Sequence, residues 1–164
     1  MTEVKREERP ALVRAGLMAA GVPAERVEVF AALTEEIITS ESGWNPDACA
    51  LAVDSSSRGP AALFGGANAR GMPDGRSYAT PRGLAQLTPW IFEQHHAAGT
   101  STDIYDPVAS IAALWLFIAD RFAVDLLTGA GVAEFSEKWV DHRADWWWLT
   151  ELAPFNRSPQ IPGY

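Results

Sequence analysis

A stripe of apolar side chains at helical spacing constrains the fold of this 164-residue chain more than any other feature. Asp106 and Pro107 precede the stripe, and a capping carboxylate followed by a first-turn proline is typical of a helix start. Apolar residues recur every three or four positions and therefore share one helical face. They are Val108, Ile111, Ala112, Trp115, Ile118, Ala119 and Phe122. A chain built around such a helix is expected to be mostly α, or α+β at most.

Other segments have the same periodicity. The predicted helices are Pro10–Ala20, Pro23–Ser42, Pro89–Ala98, Val132–Trp139 and Asp141–Leu152, and three prolines after Leu152 favour an extended strap. Between them, residues 50–82 are rich in Gly, Ser, Pro and Ala and contain turn signals such as Pro73-Asp74-Gly75. So long an irregular stretch is typical of a functional loop or flap, with a small β-hairpin as the alternative. We expect a single domain over 1–164, with a helical extension and strap at 124–164.

Charge and cysteine content exclude several classes of function. The net charge of -8 repels phosphate backbones, so we expect neither nucleic-acid binding nor attachment to an anionic membrane. Cys49 is the single cysteine, and the adjacent His95 and His96 would point in different directions on a helix. We therefore expect no metal and no cofactor, and interpret Cys49 as a small buried hydrophobic residue. No signal peptide and no membrane-spanning run is recognisable.

Glu41 lies on the wrong face of its helix for a charged residue. At 100° per residue, Glu41 falls among Phe30, Thr34 and Ile38, whereas Glu36 falls almost opposite. A carboxyl withdrawn from water prefers its neutral form, which raises its pKa. A carboxylic acid that is still protonated near neutral pH can donate its proton to a leaving group. The position alone also fits a polar residue in a fraying last turn.

The residues around Glu41 carry a family resemblance. Residues 41–48 read Glu-Ser-Gly-Trp-Asn-Pro-Asp-Ala, and residues 83–89 read Gly-Leu-Ala-Gln-Leu-Thr-Pro. A helix starting at Asp106-Pro107 follows. This order resembles the soluble lytic transglycosylase (SLT) domain, glycoside hydrolase family 23, and most closely its phage tail and tape-measure versions. The resemblance covers about residues 30–122 and implies a lysozyme-like fold with a catalytic core at 22–123.

The resemblance implies a function and roles for individual residues. Glu41 would be the general acid and then the base that cleaves peptidoglycan between N-acetylmuramic acid and N-acetylglucosamine, closing a 1,6-anhydro ring. Ser42, Gly83, Gln86 and Tyr105 would contact the substrate. The implied partners are peptidoglycan glycan strands and, in a phage setting, other tail proteins. The protein would act on the bacterial cell wall as a virion component, or as a lysin released when the host lyses.

Two departures from the family keep alternatives open. The family's Tyr-Asn-Ala-Gly segment is missing, and Phe117 stands where a family tyrosine often lies, so Tyr105 or Tyr78 would have to replace it. One alternative is a muramidase that uses water, for which Asp47 or Asp54 could be the second acid. The other is a wall-binding or structural tail module with weak or no activity.

Aromatic and basic residues add weaker expectations. Trp115 is expected in the core, whereas Trp44 and Trp90 could either border a glycan groove or pack in its wall. Trp146-Trp147-Trp148 should pack mainly against the catalytic lobe, with a partner or glycan contact as the alternative. Four arginines in or beside the central stretch could contact wall carboxylates: Arg58, Arg70, Arg76 and Arg82.

Overall fold

The computed structural model describes residues 3–49, 71–76, 78 and 80–142. The structure is mostly helical, and the described part contains no sheet, which confirms the predicted fold class. Short 3₁₀ turns at Arg6–Glu8 and Ala24–Arg26 precede the first two helices. The helices are α1 Arg9–Ala19, α2 Val27–Ser42, α3 Pro89–Gln94, α4 Pro107–Phe122 and α5 Val132–His142.

Helix α4 forms the centre of the core. It begins where the sequence predicts, because the Asp106 side chain accepts a hydrogen bond from the amide of Ala109 at 2.9 Å. Trp115 is fully buried as expected; its indole N–H donates to the Thr34 hydroxyl at 2.8 Å and its ring meets Phe30 edge-on at 5.1 Å. These contacts fix α2 against α4.

Helix α1 packs on both α2 and α4. Gly16 permits this close approach, since a Cβ at that position would collide with Ile111 of α4. Val13 and Leu17 extend the same buried face of α1. The three helices thus form one continuous hydrophobic core.

Three predicted boundaries need correction. Helix α2 starts at Val27 rather than Pro23, because Arg26 N–H bonds to the Pro23 carbonyl and makes a 3₁₀ turn first. Helix α3 ends at Gln94, before the predicted Ala98, because the backbone leaves the helical conformation at His95, with φ -120° and ψ 16°. Thr100 then bonds through both its amide and its hydroxyl to Ala97, which turns the chain. Helix α5 is continuous to His142, so the predicted break after Trp139 is wrong.

Helix α5 continues past Trp139 because the residues from Trp139 to His142 include neither Gly nor Pro. Nothing there interrupts helical hydrogen bonding. Several predicted features lie outside the described residues. They are the rest of the Asp141–Leu152 helix, the strap after it, Trp146-Trp147-Trp148, and most of the central loop or hairpin. Within 71–76, the Gly75 amide donates to the Met72 carbonyl at 2.9 Å, which makes the predicted turn at Pro73-Asp74-Gly75.

Candidate active site around Glu41

Glu41 occupies the last turn of α2 with its side chain partly buried. Burial raises the pKa of this carboxyl from its ordinary 4.5 to about 8. Burial is the only cause of this increase, and no hydrogen bond or ion pair joins Glu41 to another described residue. Glu41 therefore combines two properties that a general acid needs, since it holds a proton at neutral pH and keeps part of its surface open to solvent.

The chain turns sharply after Glu41. Gly43 ends α2 in the left-handed conformation at φ 59°, and Trp44 follows at φ 67°. The Ser42 hydroxyl donates to the Ile38 carbonyl at 3.2 Å, so in this structure it points back along its own helix. Contact between Ser42 and a substrate stays a prediction.

The Asn45-Pro46 pair shapes the next turn. The Asn45 side-chain oxygen accepts from the amide of Asp47 at 3.0 Å, and the Asn45 carbonyl accepts from the amide of Ala48 at 3.1 Å. Asp47 itself is exposed. This turn carries the chain from Glu41 to the second motif.

Ala48 joins the two motifs. Its carbonyl accepts from the Gly83 amide at 2.8 Å and from the Gln86 side-chain amide at 3.0 Å, and the same Gln86 amide donates to the Gly83 carbonyl at 2.9 Å. Adjoining this contact, Arg82 forms isolated antiparallel bridges with Cys49 and Leu87. The structure thus brings residues 48–49 and 82–87 together, although about forty residues separate them in the sequence.

These bonds give Gly83 and Gln86 roles that the sequence did not predict. Gly83 has φ 78°, and a Cβ there would lie 2.7 Å from the Ile104 carbonyl oxygen, so the close backbone neighbour is the chain itself. Gln86 is half-buried with φ 52°, and its amide nitrogen is committed to two carbonyls. Its Oε1 atom takes no part in these bonds. Substrate contact by either residue stays a prediction.

Neither tyrosine considered as a replacement for the family tyrosine bonds to Glu41. The Tyr105 hydroxyl donates to Asp74 Oδ2 at 2.6 Å, and the buried Tyr78 hydroxyl donates to Glu93 at 3.2 Å. Phe117 is fully buried, with the His95 ring against its edge at 5.3 Å. The acid therefore lacks a hydroxyl partner among the residues that the structure describes.

Arg82 is buried and is not exposed to a cell-wall polymer. It is 1% exposed, and its guanidinium makes two bonds to Asp74, from Nε at 2.5 Å and from Nη2 at 2.9 Å. A third bond from Nη1 reaches the Thr80 carbonyl at 2.7 Å. The expectation that Arg82 contacts wall carboxylates is wrong, because its charge is already neutralised by Asp74. Arg76 is exposed, and Arg58 and Arg70 lie outside the described residues.

Asp74 is the centre of this network, which we call the Asp74 cluster: Cys49, Asp74, Arg82 and Tyr105. Arg82 and Tyr105 hold the pKa of Asp74 well below its usual range, and burial raises the pKa of Tyr105 to about 12. The expectations from the sequence did not include this cluster. The one local signal was an aspartate eight residues before an arginine, and neither the burial of Arg82 nor its pairing with Asp74 is visible in one sequence.

Cys49 is half-buried, which is less than the sequence predicted. Burial raises the pKa of its thiol, and the opposing charges of Arg76 and Arg82 do not cancel that effect. A thiol with a raised pKa is a poor nucleophile at neutral pH. The low reactivity of such a thiol is compatible with a packing role for Cys49.

Trp44 and Trp90 are both buried, at 1% and 7% exposure. Of the two alternatives, packing inside the protein describes these tryptophans better than an exposed ring face that could stack on a sugar. The described residues also contain no group of three or more side chains that could hold a metal ion. No described helix is long and apolar enough to cross a bilayer.

Among the residues that the structure describes, two surface grooves border α2, and Glu41 lines neither of them. One lies against α1 and includes Arg14, Glu28 and Glu35. The other includes Glu35, Glu36 and Trp139, on the side of α2 opposite Glu41. The chemistry of Glu41, rather than the size of a described groove, therefore selects the candidate site.

Comparisons of the chain with protein-family models, with curated proteins and with solved structures returned no match.

Proposed function

We propose that this chain cleaves the glycan strand of peptidoglycan as a lytic transglycosylase, with Glu41 as its acid and base. The observation that carries the proposal is a single desolvated carboxyl whose pKa is raised to about 8. At pH 7 such a group is about nine-tenths protonated and ready to act as an acid. The resemblance of residues 41–48 and 83–89 to the SLT domain is the reason for proposing peptidoglycan as the substrate.

The reaction needs only one carboxyl group. Glu41 protonates the oxygen between N-acetylmuramic acid and N-acetylglucosamine, and the bond from that oxygen to the anomeric carbon breaks. The substrate's acetamido group stabilises the positive charge at this carbon. The Glu41 carboxylate then removes the proton from the muramic acid 6-hydroxyl, whose oxygen closes the 1,6-anhydro ring. Glu41 regains its proton, and no water is consumed.

The surroundings of Asp74 and Asp47 support a one-carboxyl reaction. Asp74 accepts hydrogen bonds from Arg82 and Tyr105, so both of its oxygens are engaged. Asp47 is exposed at a turn, and Asp54 lies outside the described residues. A hydrolase of the usual kind would need a second ionised carboxylate across the sugar from Glu41.

The products of digestion test the proposal. We expect purified cell walls to release soluble fragments ending in 1,6-anhydromuramic acid, one water lighter by mass spectrometry than fragments with reducing ends. Glu41→Gln should lower the rate by about 100-fold or more, the usual contribution of a general acid. Glu36→Gln, an exposed glutamate on the same helix, is the matched control and should digest like the wild type.

The alternatives appear as distinct outcomes. Fragments with only reducing ends would reject the transglycosylase reaction in favour of a muramidase. Equal digestion by wild type and Glu41→Gln, or digestion by neither, would remove the enzymatic role of Glu41. Wall binding without digestion would identify a binding or structural module.

We place the enzyme in a phage or prophage, as a wall lysin or as a tail component that opens the wall locally. The support is the resemblance of residues 41–48 and 83–89 to phage tail and tape-measure versions of the SLT domain. Peptide mass spectrometry of purified virions tests the tail assignment, since a tail component must be present in the particle. A lysin would instead be found only in the lysate.

A further inference from the structure

The N-terminal segment, residues 3–9, is fastened to the turn that follows Glu41. The Val4 amide donates to the Trp44 carbonyl at 2.8 Å, and Arg9 Nε donates to the Val4 carbonyl at 3.1 Å. The Arg9 guanidinium also lies over the Trp44 ring, 4.8 Å from its centroid, and pairs with Glu3 at 3.3 Å. Arg9 therefore holds both the segment and the tryptophan.

Trp44 needs such contacts to keep its conformation. Its φ of 67° is unfavourable for a residue with a Cβ, and it follows Gly43 in the same left-handed region. Its ring is buried at 1% exposure, and its indole N–H donates to the Thr39 hydroxyl at 2.9 Å. Trp44 thus folds back onto the last turn of α2, and residues 3–9 hold it there.

The contact lies on the far side of the helix from the acid. Thr39 and Glu41 are two residues apart, which separates them by about 160° around α2. The segment therefore leaves the face of Glu41 open. Arg9 does not act on Glu41 through its charge either, because burial is the only cause of the raised pKa and no ionisable side chain adds to it.

We propose that residues 3–9 form an N-terminal strap that positions Glu41, and that Arg9 is the positioning residue of this strap. The strap acts by holding Trp44, which stops the last turn of α2 from fraying. A frayed turn would release Glu41 into water and remove the burial on which its proton depends. The catalytic meaning of the strap rests on the proposed function, but its effect on Glu41 does not.

Titration of the Glu41 carboxyl by carbon NMR tests the strap directly. We expect a midpoint at about 8 in the wild type. Arg9→Ala should lower this midpoint by about one pH unit or more as the carboxyl gains water. Arg9→Lys, which keeps the cation over the ring, should restore part of the shift. Arg14→Ala is the matched control, because Arg14 is an exposed arginine of the same helix, and its midpoint should equal that of the wild type.

A second variant guards against a failure to fold. Val4→Pro removes the amide that donates to Trp44 and leaves Arg9 in place, and it should lower the midpoint in the same direction. Circular dichroism selects the variants that remain helical. An unchanged midpoint in a folded Arg9→Ala or Val4→Pro protein would overturn the proposal, as would a wild-type midpoint near 4.5.

Failure of the strap and failure of the proposed function give different results. If the midpoint moves in the variants but cell walls yield no anhydro products, the strap stands and the transglycosylase assignment falls. If anhydro products form and the folded variants keep the wild-type midpoint, the assignment stands and the strap falls. With both correct, Arg9→Ala should lower kcat and move the alkaline limit of activity to lower pH, with KM little changed.

Discussion

Replacing Glu41 by glutamine should change how the stability of this protein depends on pH. The folded-state pKa of Glu41 is raised from 4.5 to about 8, so between these values the folded protein holds one proton that the unfolded chain has released. The free energy of unfolding therefore falls as pH rises through this window. Below it both states are protonated, and above it both are ionised, so the dependence disappears at either end.

The size of the effect follows from the same shift. Each pH unit inside the window changes the free energy of unfolding by about 1.4 kcal/mol relative to a chain without the group. From pH 5 to pH 8 this would amount to about 3.5 kcal/mol for a fully buried carboxyl, because the titration is incomplete at both ends of the range. Because Glu41 keeps part of its surface in water, we expect about 3 kcal/mol. Glutamine cannot ionise, so Glu41→Gln should lose none of this stability.

Urea denaturation of both proteins at several pH values measures the difference. With a slope of about 2 kcal/mol per molar urea, 3 kcal/mol separates the two midpoints by about 1.5 M at pH 8 beyond any gap at pH 5. Subtracting the two curves cancels the titration of all other groups. Glu36→Gln removes a carboxylate from the exposed face of the same helix, and its curve should run parallel to that of the wild type.

A flat difference would refute the reasoning. If the gap between wild type and Glu41→Gln changed by less than about 1 kcal/mol from pH 5 to pH 8, Glu41 would not be desolvated enough to hold a proton. The acid role would then lose its physical basis. A gap that widened in the opposite direction, with wild type gaining stability as pH rises, would indicate a buried partner cation.

Three further predictions concern activity and the residues that join the motifs. Activity on cell walls should fall about tenfold per pH unit above about 8, as Glu41 loses its proton, and a pH–rate profile that stays flat to pH 10 would contradict this. Asp74→Asn should cost about 2–3 kcal/mol in thermal or urea unfolding, because it leaves the buried Arg82 charge without its carboxylate; an unchanged melting temperature would show that Arg82 finds water instead. Gly83→Ala should cost about 1–3 kcal/mol, since the new Cβ meets the Ile104 carbonyl at a strained φ, and a neutral result would mean that this loop moves freely.

Local signals in the sequence predicted the helices well. The Asp106 cap, the apolar stripe of α4 and the stop at Gly43 are short-range features, and short-range physics determines them. The errors fell where tertiary or turn contacts decide. Helix α3 stops early because His95 leaves the helical conformation and a turn from Ala97 to Thr100 follows, which no periodicity reveals.

The candidate site was only partly predictable. The face of α2 on which Glu41 lies follows from counting residues, and the raised pKa of Glu41 follows from that face. Arg82 shows the limit of such counting. It was expected to contact the cell-wall polymer. In the structure Arg82 is buried, and Asp74, eight residues earlier in the sequence, neutralises its charge. Residues 3–9 lie before and at the start of α1, far from Trp44 in the sequence. No sequence pattern around Glu41 could therefore indicate the strap.

Glu41 and Asp74 show how the fold gives two carboxyls opposite properties. Glu41 has no bonding partner among the described residues and holds its proton, because burial alone raises its pKa. Asp74 is bound by Arg82 and Tyr105 and stays ionised. Environments that separate two pKa values in this way usually assign the acid and the base of a reaction. Here the ionised group is occupied in holding Arg82 and Tyr105, which leaves the protonated one free to act. If Glu41 is the one acid that acts, the same carboxyl must serve first as acid and then as base. Closing a ring on the substrate's own hydroxyl allows this, because the hydroxyl proton replaces the proton given to the leaving group.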